Sequence, residues 1–192
     1  MADQSAEGML SPFLRRQRIS AVRPFLQGRV LDIGCGSGAL AAYVDKANYV
    51  GIDPDPVSIA TARNSFPGHT FIQRLTLEGD TFDTVVALAV IEHVPDPVVF
   101  LTGLKANLLC VPSARIVCTT PHPTMDWIHW IGSRIGLFSR SANEEHEDLL
   151  NRRSLVEAGR KAGLRETNYR RFLGGANQVI AFKHDGDNRK AA

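Results

Sequence analysis

The chain has 192 residues, 44% of them hydrophobic and 22% charged, with a formal net charge of +2, enough for one domain with a substantial core. No apolar stretch approaches the roughly 20 residues of a membrane span, and no basic-then-apolar secretory signal opens the chain. Cys35, Cys110 and Cys118 are odd in number and outside any zinc-ligand spacing, so a reduced, cytoplasmic setting without a metal site is the expectation.

Residues 11–26 read as an opening helix, with Phe13, Leu14, Ile19 and Val22 as its apolar members. Arg15, Arg16, Arg18 and Arg23 lie outside them, as a solvated face or the border of a cleft. Val30, Leu31 and Ile33 then form an apolar run that ends in Gly34, Gly36 and Gly38, and the apolar-periodic segment 39–46 follows at once. A buried strand, a tight turn and a helix start are expected in that order. Glycines there allow positive φ and remove the Cβ atoms that keep a ligand off the backbone. The helix start behind them offers unpaired N–H groups.

Strand and helix patterns go on alternating through 49–52, 57–64, 70–73, 82–88, 98–107 and 114–119, which specifies a parallel sheet with helices on both faces. Residues 85–91 are almost unbroken apolar, as in a central parallel strand. Pro95 and Pro97 hold the next helix off until Val98. Ser154 and Glu157 have capping-box spacing at the start of a last helix, and Gly163 fits its end. Residues 167–172 and 177–183 flank a short glycine-containing gap, which predicts an antiparallel hairpin. One domain over 1–184 and a polar, disordered tail over 185–192 complete this reading.

Spacing and one acid decide which ligand suits the glycine turn. The phosphate-binding dinucleotide turn is Gly-x-Gly-x-x-Gly. Here the last glycine comes one residue earlier, and Asp32 stands at the strand end. A carboxylate so close would repel a pyrophosphate, whereas it attracts the amino group of a zwitterionic, sulfonium-bearing ligand. Asp53 ends the second strand, where an acid accepts hydrogen bonds from ribose hydroxyls. It could instead cap the following helix, a role equally open to Asp55.

The Asp-x-Gly-x-Gly-x-Gly turn resembles the first motif of the class I S-adenosylmethionine (SAM)-dependent methyltransferases. Phe82-Asp83-Thr84-Val85, leading to Glu92-His93-Val94-Pro95-Asp96-Pro97, resembles the fourth motif of their small-molecule branch. The resemblance runs from about residue 30 to 120. It implies a Rossmann-like α/β fold, a seven-stranded, mostly parallel sheet that ends in an antiparallel hairpin. It also implies SAM as cofactor, S-adenosylhomocysteine (SAH) as product, and methyl transfer to an oxygen, carbon or nitrogen of a small molecule.

The cofactor contacts implied are Asp32, Gly34, Cys35, Gly36, Gly38, Asp53, Pro54, Leu75, Thr76, Leu88 and Ala89. Such enzymes usually place an acid after the third strand to hold the adenine amino group. Residues 71–76 lack one, which leaves backbone groups of Leu75 and Thr76, or Glu78. His93, His122 and His146 are candidate bases, because histidine titrates near neutrality. His93 has a second reading as a structural corner.

Residues 121–148 form the longest connection between expected elements and carry both tryptophans, Trp127 and Trp130. Three readings fit the apolar part, 125–138: a lid over the substrate, a surface for peripheral contact with lipid or a partner, or core packing. The acidic run 143–148 reads as a solvated loop. Two other classes of function stand beside the enzyme: a SAM-binding partner subunit without its own chemistry, and a nucleotide-dependent oxidoreductase, which the glycine spacing disfavours. Nucleic acid is not an expected substrate, since the chain has no Asn/Asp-Pro-Pro-Tyr tetrad and no basic patch interleaved with aromatics.

Overall fold

The structure, a computed structural model, describes residues 4–123 and 150–186, with side chains from residue 12. The apolar part of the long connection, His146 and residues 187–192 of the tail lie outside the described residues. Among the described residues no helix is long and apolar enough to cross a membrane.

Helix α1 (Gln4–Val22) leads to strand β1 (Val30–Ile33), and strand β2 (Tyr49–Asp53) to helix α2 (Pro56–Ser65). Strands β3 (Thr70–Gln73) and β4 (Thr84–Leu88), helix α3 (Pro97–Ala106) and strand β5 (Arg115–Pro121) follow. Helix α4 (Arg152–Lys161) precedes the hairpin of β6 (Leu164–Phe172) and β7 (Asn177–His184). The strands form one seven-stranded sheet in the order β3-β2-β1-β4-β5-β7-β6. β1 to β5 run parallel, and β7 runs antiparallel to both of its neighbours.

Alternate residues of the strands feed two cores. Leu31, Val85, Ile116 and Phe182 pack with Leu101 of α3 and Leu155 of α4. Val30, Val86, Val117 and Val179 pack with Ile19 of α1 and Ile59 of α2. Burial on both faces is why β4 reads as a continuous apolar run rather than an alternating one.

Local structure departs from expectation at several places. α1 starts at Gln4 rather than residue 11, and β6 starts at Leu164 rather than residue 167. α3 starts at Pro97 rather than Val98, because proline is well suited to the first helical position behind the Asp96 cap. α1 ends at Val22 and gives way to a 3-10 turn over Arg23–Phe25, because Pro24 has no N–H to continue the helix. Phe13, expected in the core, is 48% exposed. The segment after Gly38 is a 3-10 helix over Ala39–Tyr43, followed by a 3-10 turn over Lys46–Asn48, rather than an α-helix. The tighter winding advances about 2.0 Å per residue against 1.5 Å, so this short link can reach back to the start of β2. α4 is capped by Asn151, whose Oδ1 accepts the Ser154 N–H at 3.0 Å. Ser154 therefore sits inside the first turn, and Glu157 pairs with Arg160 at 2.9 Å instead of closing a capping box. Asn and Ser cap about equally well, and the earlier start carries Leu155 and Ala158 onto the core.

Candidate active site

The site is built on the carboxyl edge of the sheet, around the turn that leaves β1. Asp32 pairs in register with Gly51 and Val86 and is 2% exposed. Its Oδ2 accepts the Tyr49 hydroxyl at 2.8 Å, while Oδ1 has no hydrogen-bond partner among the described residues. Burial raises the Asp32 pKa to about 7; the Tyr49 hydrogen bond opposes the rise and the charge of Asp53 adds to it. The carboxyl group thus changes charge near neutrality.

The turn is tied to β2 by backbone and side chain alike. Gly34 and Cys35 both donate to the Ile52 carbonyl, at 2.9 and 3.0 Å. Gly36 N–H donates to Asp53 Oδ2 at 2.9 Å. Gly34 (φ +68) backs onto the protein, where a Cβ would meet Val90 Cγ2 at 2.7 Å. Gly36 (φ +52) faces open space, with nothing within 4 Å of an added Cβ. A ligand can therefore lie against the backbone at Gly36. Cys35 is buried and its thiol pKa is pushed up by that burial, which makes it a poor nucleophile.

Asp53 does not cap α2. Asp55 does, accepting from Val57 N–H at 3.2 Å and Ser58 N–H at 2.9 Å. The Asp53 carboxylate takes Gly36 N–H on one oxygen and Asp55 N–H, at 2.9 Å, on the other. Each oxygen keeps a lone pair for a further donor. The Arg74 N–H donates to the Asp53 carbonyl at 3.1 Å, which draws the loop after β3 to the end of β2. Pro54, Leu75 and Thr76 are exposed on this rim, Leu75 at 72%.

A cavity of about 170 Å³ opens beside the turn, lined by Asp32, Gly34, Gly36 and Leu88 and also by Arg15 and Arg18 of α1. Arg15 Nη1 donates to Ser37 Oγ at 2.9 Å, and Arg18 Nε donates to Asn177 Oδ1 at 3.2 Å. Burial lowers the Arg18 pKa, with the nearby Glu92 carboxylate opposing. Of the two sequence readings of these arginines, the border of a cleft holds for this pair. A signal was present: positions 15, 18, 19 and 22 form one helical stripe, and two of them are arginines on the side that carries Ile19 and Val22.

Ala89, next to Leu88, has φ +56, and its N–H donates to the Thr119 carbonyl at 2.9 Å. The chain then turns through the 3-10 segment Ile91–His93. His93 is exposed there, whereas Glu92 is half-buried with its pKa raised by burial. His122, just past β5, is half-buried; burial and the Arg171 charge lower its pKa. The described structure therefore places two of the three candidate bases on the same sheet edge as the turn.

The methyltransferase-domain family matches residues 10–168 of this chain. The chain belongs to that family. Curated relatives include a ubiquinone biosynthesis O-methyltransferase of Cereibacter sphaeroides, 36% identical over 112 residues, which cover 53% of this chain and 44% of that protein. The protein of the same description from Parvibaculum lavamentivorans is 38% identical over 141 residues, covering 58% of this chain and 56% of the relative. The chain thus spans about half the length of these curated relatives. Among solved structures, magnesium protoporphyrin IX methyltransferase from Synechocystis PCC 6803 with bound SAH superposes with a TM-score of 0.67 at 17% identity, over 90% of this chain and 84% of the other. This likeness is one of fold: the Rossmann-like methyltransferase sheet with its reversed seventh strand.

Proposed function

We propose that this methyltransferase domain binds SAM and transfers its methyl group to a small-molecule acceptor. The observation that carries the reading is Asp32 Oδ1, a buried carboxylate oxygen left without a partner beside a cavity and a glycine turn that faces open space. The surrounding donors and acceptors fit the ligand end to end. Asp32 suits an ammonium group, Arg15 and Arg18 suit a carboxylate, and Asp53 suits a vicinal diol. Gly36 leaves room for close approach, and Pro54, Leu75 and Thr76 border the space where an adenine extends. Bound SAM supplies a methyl carbon activated by its attachment to a sulfonium.

The chain's own contribution is mainly placement. Holding two reactants in line can supply up to about 7–11 kcal/mol of the barrier, and contacts to the amino-acid end of the ligand and to its ribose, on either side of the sulfonium, fix such a line. Leu88 and Ala89 line the space toward the acceptor, and His93, Glu92 and His122 supply polar groups around it. The relatives favour an oxygen nucleophile, and a cytoplasmic location suits the composition.

Titration calorimetry with SAM, SAH and NAD tests the reading. SAM and SAH are expected to bind, and NAD far more weakly; a preference for NAD overturns it. Turnover with a small-molecule acceptor separates an enzyme from a binding subunit.

A further inference from the structure

Tyr49, at the start of β2, is fully buried and carries a hydroxyl that apolar packing does not need. It pairs in register with Val30, and Gly51 pairs with Asp32, so strand alternation puts Tyr49, Gly51 and Asp32 on one face of the sheet. The ring runs along that face, over the roughly 6.6 Å that two strand residues cover. Gly51 leaves the space for it: a Cβ there would meet the Tyr49 hydroxyl oxygen at 2.9 Å.

The ring has little freedom. His69 and Phe71 meet it edge-on, each with its ring centroid 5.5 Å away, and His69 is itself tied to the Val44 carbonyl at 3.1 Å. Ile59 and Ala62 of α2 belong to the same core. The hydroxyl is thereby aimed at one acceptor, Asp32 Oδ2, at 2.8 Å. With Oδ2 taken, Oδ1 is the oxygen left for the cavity that Asp32 lines. A phenylalanine would fill the same box without a buried hydroxyl, which is unfavourable unless bonded. What the hydroxyl adds is its hold on the carboxylate.

We propose that Tyr49 is a positioning residue for the cofactor: its hydroxyl fixes the Asp32 carboxylate so that Oδ1 meets the ammonium group of SAM. This rests on the methyltransferase reading above. Tyr49 is not among the residues that line the cavity, so it acts through Asp32. The bond also favours the charged carboxylate, since a donor stabilises that form, against the burial that raises the Asp32 pKa. Burial, and after it the Asp32 charge, pushes the Tyr49 pKa far above its ordinary value, so the hydroxyl stays a donor when Asp32 ionises. Asp53 and Cys35 are coupled to Asp32 by charge, and Arg15 and Arg18 line the same cavity. β4, on the other side of β1, contributes Val86 and Leu88, which do not titrate.

The test is calorimetry on the full chain with SAH and with the SAH analogue that lacks the amino group, from about pH 5 to about pH 9. The parent should prefer SAH by at least about tenfold at about pH 8, and the preference should grow as pH rises through about 7. In Tyr49→Phe the carboxylate loses its donor, so that rise should move up by about one pH unit. SAH should then bind about tenfold more weakly at about pH 7, and the analogue should change by less than about twofold. In an Asp32→Asn background, Tyr49→Phe should loosen SAH no further. A role in core packing alone would loosen both ligands equally and leave the rise in place. Equal loosening, an unmoved rise, an undiminished loss in the Asp32→Asn background, or a parent that binds both ligands alike at every pH overturns the proposal. Should Tyr49→Phe fail to fold, Gly51→Ala, whose Cβ meets the hydroxyl, should move the rise in the same direction, and an unmoved rise there overturns it. A parent chain that does not bind SAH overturns instead the methyltransferase reading beneath it.

Discussion

Asp53 divides its carboxylate between the glycine turn and, in the proposed function, the ribose. Asp53→Ala is expected to weaken SAM and SAH by about ten- to a hundredfold, the equivalent of roughly 1.5–3 kcal/mol for charge-assisted bonds. Asp55→Ala should leave that affinity unchanged and lower stability by about 1 kcal/mol through the lost cap. Calorimetry and thermal melts on the two variants separate the roles, and equal loss of affinity in both would refute the division. Asp32 carries the opposite burden. Its folded pKa of about 7 exceeds the unfolded value of about 4, so between the two the folded state holds a proton that the unfolded state has released. Stability therefore falls as pH rises through this window, and the deficit persists above it. Asp32→Asn should raise the melting temperature of the ligand-free chain at pH 8 by on the order of 5–10 °C, with the gain vanishing below about pH 4. The parent should bind SAH more tightly as pH rises through about 7, as the carboxylate ionises to meet the ammonium group; Asp32→Asn should lack that rise. A variant that is no more stable at pH 8 shows that Asp32 is ionised without penalty.

At the level of elements, α2, α3 and every strand but β6 were legible to within a residue or two, whereas both ends of α1 and the start of α4 were not. β3 was expected over residues 70–73 and is found there, and the runs that became β1, β2, β4 and β5 were located to within a residue or two. Their composition follows from burial on both faces, which any window of four or five residues records. The start of α4 was misplaced because Asn151 and Ser154 are both cap residues, and only the packing of Leu155 and Ala158 chooses between them. Asn151→Ala should therefore lower stability by about 1 kcal/mol. Ser154→Ala should matter less, since its hydroxyl only reinforces the cap through Asn151, at 3.0 Å to the carbonyl oxygen. The reverse order in denaturant midpoints would restore Ser154 as the cap. The 3-10 segments after Gly38 escaped the periodicity because apolar spacing over so few residues does not distinguish two helix types.

Across the whole molecule, the legible part of the site is the part that is local in sequence. The glycine turn, Asp32 and Asp53 lie within one strand-turn-strand unit. Arg18 meets Asn177 across 159 positions, a contact that no local pattern encodes. The hairpin shows how far the fold depends on distant pairing. β7 fills the space between β5 and β6 and buries Val179, Ile180, Ala181 and Phe182 into both cores. A chain cut after Gly163 should lose cooperative melting and its near-ultraviolet circular dichroism, because β5 becomes a bare edge; a sharp transition in that fragment would show that the first five strands fold alone. The same placement matters during synthesis. β6 leaves the ribosome before β7, yet in the finished sheet it touches β5 only through β7. A nascent chain that has delivered β6 has no partner for it and still presents an open β5. The sheet can therefore be completed only after translation has passed residue 184, when β7 joins β5 alone or already paired with β6, and until then β5 is an open edge exposed to other chains.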